Sequence, residues 1–389
     1  MATLHSDNAS FAFALHRDAV AAGANSALSP YSIAVALAMT RAGARNNTAA
    51  EIDAALRFSL RDDALHRAFN ATDLALASRE AQARSAAPRA AMGMAEAPLQ
   101  LRVVNALWAE RTLPLESAYL DTLSRYYGAG VNVVDFRRQP EDSRRTINAW
   151  VASQTMDKIA ELIPGGLIDN GTMIVLTNAV YLNARWQFPF ESRFTGSARF
   201  TLANGTTTSA SMMHPLAPVR VPFARLDGHT AVELPYVGAQ IAMLVVVPDQ
   251  GQFDAFERRF DASQYADTVR ALTERAVRIS LPKFSVRSPL RLDESLIRLG
   301  MREAFTPAAD LTGISRERMQ VTAVVHEAKI DVAEAGTEAA AATAVIAGDA
   351  SVAVSQEELL VDRPFYWFIR DRQTGATLFM GRVLDPNAR

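Results

Sequence analysis

Apolar side chains recur at helical spacing through the first third of the chain. The stretch from Met1 to Val20 is amphipathic and predicts an N-terminal helix. Ser29 provides an N-cap and Pro30 a first-turn proline for a helix that reaches about Ala42. Gly43 then ends that helix, because glycine is favoured just beyond a helix C-terminus.

The next hundred residues alternate between helical and extended patterns. Thr48 to Glu51 has the spacing of a capping box and predicts the start of a short helix. Residues 81–98 are rich in Ala, Arg and Pro and predict an irregular connection. A strand follows near 101–109, then a helix near 116–126 and a longer helix from about Ser143 to Ala160.

Strand patterns dominate from residue 173 onward. Met173 to Leu182 is an apolar run interrupted by Thr177 and Asn178, which is typical of a strand covered on both faces near the middle of a sheet. Asn204-Gly205 predicts a hairpin turn. Further strands are predicted at 198–203, 206–213, 232–236, 241–247, 277–286, 319–333, 365–370 and 377–383. Helices and a large, mainly antiparallel sheet system therefore predict an α+β fold.

Composition supports a globular protein with one large domain. The chain has 389 residues, of which 49% are hydrophobic and 21% charged, so it is long enough to bury a large core. Length alone would suggest two or three domains. However, no linker-like segment and no internal repeat divides the sequence, and we predict a single domain over residues 1–389.

Charge and cysteine content narrow the function classes. The net charge of −2 gives no overall basic character, so nucleic-acid binding is not expected. The absence of cysteine excludes disulfides, thiolate catalysis and cysteine metal sites. The bias toward arginine and alanine suggests a prokaryotic source.

The first twenty residues lack the basic segment and unbroken apolar run of an export signal. The chain as it stands is therefore expected to be cytoplasmic, or periplasmic or secreted if a leader has been removed. No membrane association is expected.

The sequence gives no positive support for an enzyme. Its six histidines show no metal-ligand spacing, and the sequence contains no G-x-S-x-G elbow, Walker loop or G-x-G-x-x-G fingerprint. A hydrolase remains the rival class, which a turnover assay on the isolated protein would test. We expect neither a metal nor a cofactor.

One segment of about 30 residues fits neither of the strands that flank it. It begins at Glu334, after the strand that ends near Ala333, and it ends at Pro364. Connections of this length inside a domain are uncommon and are usually functional or disordered. In an extended chain, one face would carry only small or β-branched side chains: Thr337, Ala339, Ala341, Thr343, Val345 and Ala347. Such a face could slide between existing strands, although an alanine-rich helix would explain part of the pattern.

Several longer motifs resemble those of the serpins, in that family's order and over nearly the whole chain. They are NSALSPYSI (25–33), GARNNTAAEI (43–52), INAWVASQTMDKIAELIPGGLID (147–169), LTNAVYLNARWQFP (176–189), VHEAKIDVAEAGTEAAAATAV (325–345) and RPFYWFIRDRQTGATLFMGRVLDP (363–386). The resemblance implies helices packed on a large central, mainly antiparallel sheet, further sheets, and an exposed reactive-centre loop at about 334–363.

The resemblance implies an irreversible suicide-substrate inhibitor rather than an enzyme. A serine protease would attack a bond in the loop and form an acyl-enzyme, and the cleaved loop would then enter the central sheet as an extra strand. The expected partner is a serine protease in a covalent complex, and the protein is expected to be a monomer. The alternative is a non-inhibitory serpin that acts as a binding or chaperone protein.

The resemblance also assigns the parts of the loop. The insertion hinge corresponds to Glu334, Gly336, Thr337, Glu338, Ala339, Ala340, Ala341 and Ala342. The family's spacing of seventeen residues, counted from Glu334, places the reactive bond at Ala350-Ser351. Counting back from Pro364 gives Ala353-Val354 instead, and alignment on residues 346–348 gives Asp349. The small apolar residues in this region favour an elastase-, subtilisin- or chymotrypsin-like target over a trypsin-like one.

Further positions match the apparatus that opens the sheet in serpins. Trp186 matches the tryptophan beneath the point of loop entry, and Lys283 matches a residue that can pair with Glu334. Ser29, Ser32, Asn178 and His326 match a polar cluster beneath the middle of the sheet. Each of these residues also has an ordinary explanation, as a core aromatic, a helix cap, a hydrogen-bonded core side chain or a surface ion pair.

Overall fold

The elements of the fold alternate between helices and strands along the chain. A computed structural model describes residues 1–87, 98–128, 130–338 and 356–388. The helices are α1 (Ala2–Ala19), α2 (Pro30–Gly43), α3 (Asn46–Ala55), α4 (Asp62–Ala77), α5 (Arg79–Ala86), α6 (Ser117–Tyr127), α7 (Pro140–Gln154), α8 (Phe253–Arg259), α9 (Ala262–Ala271) and α10 (Asp293–Arg298). The strands are β1 (Ser26–Leu28), β2 (Leu99–Glu110), β3 (Val131–Val134), β4 (Ile174–Arg185), β5 (Gly196–Thr201), β6 (Thr207–Met213), β7 (Val219–Leu226), β8 (His229–Pro235), β9 (Ile241–Pro248), β10 (Thr273–Pro282), β11 (Phe284–Arg291), β12 (Val321–Ala333), β13 (Gly336–Thr337), β14 (Glu357–Leu360), β15 (Phe365–Asp371) and β16 (Thr377–Val383).

Two sheets hold these strands. In the part of the chain that the structure describes, one sheet has six strands in the order β11-β12-β13-β4-β2-β3, and the other has ten in the order β1-β16-β15-β9-β8-β7-β10-β6-β5, with β14 against β10. The pairings are mainly antiparallel, with β12–β4, β2–β3 and β10–β14 parallel. The α+β fold and the central position of β4 that the sequence predicts are confirmed.

The six-stranded sheet is covered on both faces. On one face, Leu176 of β4 and Leu107 of β2 belong to the main core, to which α2 contributes Ile33 and Leu37. On the other face, neighbouring positions on the same strands form a second apolar cluster. Its members from the strands and from α7 are Val104, Ala106, Trp108, Ile147, Val151, Val175, Ala179, Ala323 and Val325. Burial on both sides explains why β4 reads as an almost continuous apolar run.

The main core includes side chains from Leu4, near the N-terminus, to Val383 of β16. This shared core supports the prediction of a single domain, which stays a prediction. None of the described helices combines the length and the apolar character that are needed to cross a membrane.

Helix α2 begins and ends where the sequence predicts. Ser29 is the N-cap, and its hydroxyl oxygen accepts a hydrogen bond from the Ser32 N–H at 3.3 Å. The capping box predicted at Thr48 is wrong, because α3 begins at Asn46 and has no side-chain cap. The Thr48 hydroxyl instead donates to the Glu303 carboxylate at 2.9 Å and accepts from the Asp310 N–H at 2.8 Å.

Three other boundaries differ from the prediction. The single strand predicted at 277–286 is two strands that meet at Lys283. Strand β10 belongs to the ten-stranded sheet, and β11 belongs to the six-stranded sheet. The long helix predicted to reach Ala160 ends at Gln154. The segment at 334–363 is not an uninterrupted loop, because Gly336–Thr337 and Glu357–Leu360 are paired strands.

The irregular connection predicted at 81–98 is wrong over residues 81–86, which belong to α5. This helix depends on a buried charge. The Arg79 side chain is 3% exposed, and its Nη2 donates to Asp371 Oδ1 at 3.2 Å. Burial opposes ionisation of Asp371, yet hydrogen bonds from Arg79 and Thr374 hold the pKa of that carboxyl below its ordinary value. Arg79 is therefore a core residue that holds α5 against β15 through Asp371.

We predict that Arg79→Ala lowers the free energy of unfolding by about 3–5 kcal/mol, because it leaves the Asp371 carboxylate buried without its counter-charge. The midpoint of urea-induced unfolding measures the effect. Arg84→Ala is the matched control, since Arg84 is exposed in the same helix and its loss should change stability by less than about 0.5 kcal/mol. Equal midpoints for the two variants would contradict the prediction.

Candidate functional site at the sheet seam

Strands β12 and β4 pair along only part of their length, and we call the boundary between them the seam. They are parallel neighbours from Val321 opposite Ile174 to Ala328 opposite Val180. Beyond Ala328 and Val180, toward the C-terminal ends of both strands, Gly336–Thr337 of β13 lies between β12 and β4. This short strand is antiparallel to both, with Thr337 opposite Val332 on one side and Ala184 on the other. The chain therefore turns back at residues 334–335 and enters its own sheet.

Gly336 fits this position because it has no side chain. Its φ is +153°, and a Cβ placed there would lie 2.0 Å from the carbonyl oxygen of Ala184. Any other residue would force the two backbones apart. The tight approach between the hinge and β4 thus depends on glycine at this position.

Thr337 is buried against the nearer of two stacked aromatic side chains. It is fully buried, and its hydroxyl lies 2.6 Å from the Tyr236 hydroxyl. The Tyr236 ring stacks on Trp186 with the ring centroids 4.5 Å apart. Trp186 also binds the turn that precedes the hinge: its indole N–H donates to the Ala333 carbonyl at 3.0 Å, and its backbone N–H donates to the Ala335 carbonyl at 2.9 Å.

The turn itself is fixed by Glu334. Its carboxylate accepts hydrogen bonds from Lys283 Nζ at 2.9 Å and from the Thr195 hydroxyl at 2.8 Å. Partial burial opposes ionisation, but these donors hold the pKa of Glu334 below its ordinary value. Lys283 is 40% exposed, so the ion pair contributes little to stability, on the order of 1 kcal/mol or less. Its effect is to fix the direction in which the hinge enters the sheet.

The middle of the seam is joined by side chains that face the main core. His326 of β12 lies directly opposite Asn178 of β4. The His326 Nε2 accepts a hydrogen bond from the Ser29 N–H at 3.1 Å, so the proton is on Nδ1, which donates to the Asn178 side-chain oxygen. The Asn178 amide donates to the Ser32 hydroxyl, and the Asn105 amide contacts both of these side chains. This network links the seam to the first turn of α2.

Burial makes His326 neutral. The side chain is fully buried, and desolvation lowers its pKa to about 3. Protonation would place a charge in the core and would remove the acceptor that the Ser29 N–H requires. The closed seam therefore depends on an uncharged imidazole.

The structure brings together the residues that the sequence assigns to the hinge entrance and to the polar cluster, as far as they are described. Ala339, Ala340, Ala341 and Ala342 of the hinge lie outside the described residues, and so do the candidate reactive-bond residues Asp349, Ala350, Ser351, Ala353 and Val354. The sequence reasoning missed Tyr236, Thr195 and Asn105. Each contacts its partner across 70 or more residues, so no local pattern indicates them.

A family model described as serpin (serine protease inhibitor) matches residues 6–386. The chain belongs to the serpin family. The family points to a protein that is not an enzyme, and it includes both protease inhibitors and non-inhibitory members. The serpin fold that the sequence motifs imply, with helices packed on a large, mainly antiparallel sheet, is confirmed. Among the described residues of this serpin, no His, Asp and Glu side chains form a group that could hold a metal ion.

Similar proteins cover nearly all of the chain. An uncharacterised serpin-like protein of Thermococcus kodakarensis is 36% identical over 380 residues, which span 97% of this chain and 84% of that protein. The leukocyte elastase inhibitor of Bos taurus is 35% identical and covers 92% of each chain. Among solved structures, the thermophilic serpin tengpin in its native state has a TM-score of 0.85 at 25% identity, covering 98% of this chain and 94% of that one.

We predict that His326 makes the closed seam sensitive to acid. Because its pKa is lowered in the folded protein, its contribution to stability is complete above pH 6.5 and is lost as the pH falls toward 3. Between pH 7.5 and pH 4.5 the loss is roughly 2–3 kcal/mol. His326→Gln should remove this part of the pH dependence, measured from urea unfolding midpoints at the two pH values. His214→Gln, at a half-buried position just beyond β6, is the control. The prediction is wrong if His326→Gln is as acid-sensitive as the parent.

Proposed function

We propose that this serpin is an irreversible inhibitor of serine proteases that presents a bond of the loop at about 334–363 as bait and traps the acyl-enzyme by inserting the cleaved loop along the seam. The observation that carries the proposal is the hinge. Gly336–Thr337 already occupies the position of an additional strand between β12 and β4, at the end of the seam where those strands separate. Catalytic groups would come from the protease, not from this chain.

Backbone hydrogen bonding would favour insertion of more of the loop along the seam. Each inserted residue would replace part of a parallel β12–β4 pairing with antiparallel pairings on both sides, and antiparallel pairing is slightly more stable per residue. The side chains that follow Thr337 must be small and uncharged on the inward face, because they would enter a packed core. The sequence meets this requirement with Ala339, Ala341 and Thr343.

Entry is also opposed by an identifiable barrier. The β12–β4 hydrogen bonds and the His326–Asn178 contact must break before a strand can pass between them. Because buried polar groups lose their partners during this step, the barrier is several kcal/mol or more. Such a barrier supports a loop that waits outside the sheet until cleavage and then enters irreversibly.

The specificity we propose is for elastase-, subtilisin- or chymotrypsin-like proteases. Small and apolar residues predominate from Ala350 to Val354, and a trypsin-like pocket requires Arg or Lys. A relative that is 35% identical bears the name leukocyte elastase inhibitor, which agrees with this class. The reactive bond we propose is Ala350-Ser351.

Incubation with elastase-, subtilisin-, chymotrypsin- and trypsin-type proteases tests the proposal. We expect an SDS-resistant complex with at least one of the first three, together with a released C-terminal peptide that begins at Ser351. Peptides that begin at Ala350 or Val354 would move the bond to Asp349-Ala350 or Ala353-Val354. Cleavage of the loop by every protease without any stable complex would refute inhibition and would favour a non-inhibitory serpin.

We predict that Thr337→Arg converts the inhibitor into a substrate. Thr337 is fully buried and its hydroxyl contacts Tyr236, so a guanidinium there would be buried without a partner at a cost of several kcal/mol. The hinge would then enter more slowly than the acyl-enzyme hydrolyses, and cleaved inhibitor would replace complex on an SDS gel. Thr337→Ser, which keeps the hydroxyl for Tyr236, is the control and should retain the complex. An unchanged ratio of complex to cleaved product in Thr337→Arg would rule out the insertion argument.

A further inference from the structure

Glu338 follows Gly336–Thr337, the two hinge residues that lie in the seam, and it has an unusual environment. Its φ is +52°, and its backbone N–H donates to the Asp331 carbonyl of β12 at 2.7 Å. The side chain lies toward Lys158, in the segment after α7. The side chain is only 2% exposed, and neither carboxylate oxygen has a hydrogen-bond partner among the described residues.

The charged groups around Glu338 are few and come from two elements. Lys158, in the segment after α7, has its Nζ 3.7 Å from Glu338 Oε2. On β12, the Asp331 carboxylate opposes ionisation of Glu338, and Lys329 favours it weakly because Lys329 is already paired with Asp331 at 3.0 Å. Burial raises the pKa of Glu338 to about 6, although Lys158 acts in the opposite direction.

An ionised Glu338 therefore destabilises the seated hinge. A buried carboxylate without hydrogen bonds is unfavourable unless it is protonated, paired with a cation or returned to water. Among the described residues, the cation that favours ionisation most is Lys158, at a distance longer than a good hydrogen bond, and Lys329 adds only a weaker effect. If the hinge leaves the seam, water hydrates the carboxylate. Protonation and release are thus alternative ways to relieve the same penalty.

We propose that Glu338 and Lys158 form a proton-controlled latch on the hinge: the protonated side chain keeps Gly336–Thr337 seated in the seam, and ionisation shifts the hinge toward release. Under the proposed function, on which this consequence rests, the loop would be presented to proteases more fully at neutral pH than in acid. Lys158 is the positioning residue that limits how far ionisation shifts the hinge.

The size of the effect follows from proton linkage. The pKa of Glu338 is about 6 in the seated state and 4.5 in its ordinary state. The seated state is therefore favoured as the pH falls through 6, and the preference is complete below about 4.5. The ratio of seated to released hinge should rise about eight-fold from pH 7.5 to pH 5, within a limit of about thirty-fold.

The latch can be measured without any protease. The chain contains no cysteine, so Ala340→Cys provides a unique attachment point for an environment-sensitive fluorophore in the hinge, two residues after Glu338. We expect the emission of the labelled full-length protein to change with a midpoint near pH 6. Glu338→Gln should stay in the low-pH state throughout the range from pH 5 to pH 8, because its amide carries no charge.

Two further variants test whether Lys158 is the partner of Glu338 and whether the pH transition is specific to Glu338. Lys158→Met should raise the midpoint by about half a unit to one unit, because the ionised seated state loses its counter-charge. Glu357→Gln removes a carboxylate beside the far end of the loop, where it pairs with Arg225, and should leave the midpoint unchanged. The proposal is overturned if the parent and Glu338→Gln share one pH profile, or if Lys158→Met leaves the midpoint in place.

The test of the latch is separate from the test of inhibition. Loss of complex formation with all proteases at pH 7.5 would refute the proposed function while a pH transition of the fluorophore persisted. Conversely, complex formation with a flat fluorophore profile would refute the latch alone.

Discussion

Parallel pairing between β12 and β4 stops at Ala328 and Val180, and the rest of the site depends on this partial closure. Before that point along the two strands, their backbone groups form hydrogen bonds with each other. After it, they form hydrogen bonds with a third chain segment that lies between them. The hinge meets that need with only two residues. The seam is therefore closed by direct pairing over most of its length and by an added chain segment at one end. A fully closed seam would exclude the loop, and a fully open one would leave buried backbone groups without partners.

The buried polar side chains lie at the seam between β12 and β4. His326 and Asn178 face each other across the seam, and Ser29 and Ser32 connect them to α2. Apolar side chains in the same places would pack as well, but they would give no directional contact to be exchanged for another. A hydrogen-bonded pair keeps the strands in register while they are closed and adds to the barrier that separates the two states.

Elements whose signals are local could be predicted from the sequence. Helix α2 has its cap and its proline in adjacent positions, and β4 is a buried apolar run. The break at Lys283 was missed because the hydrophobic pattern continues through it, although the chain changes sheets there. Helix α5 was missed because its anchor, Asp371, lies 292 residues away. At the site, Tyr236 and the burial of Glu338 depend on which segments the fold places over the hinge, and no periodicity in the sequence reveals that.

Strand β14 determines what a single cut in the loop can do. Its four residues pair with β10 in the ten-stranded sheet, whereas the hinge lies in the six-stranded sheet. The connecting residues are therefore held by one sheet at each end, and an intact covalent chain links the two sheets mechanically. Under the proposed function, a cut in this link would give the hinge side a free end, whereas the other side would stay attached to β10. The intact peptide bond would then be the constraint that keeps the loop from filling the seam.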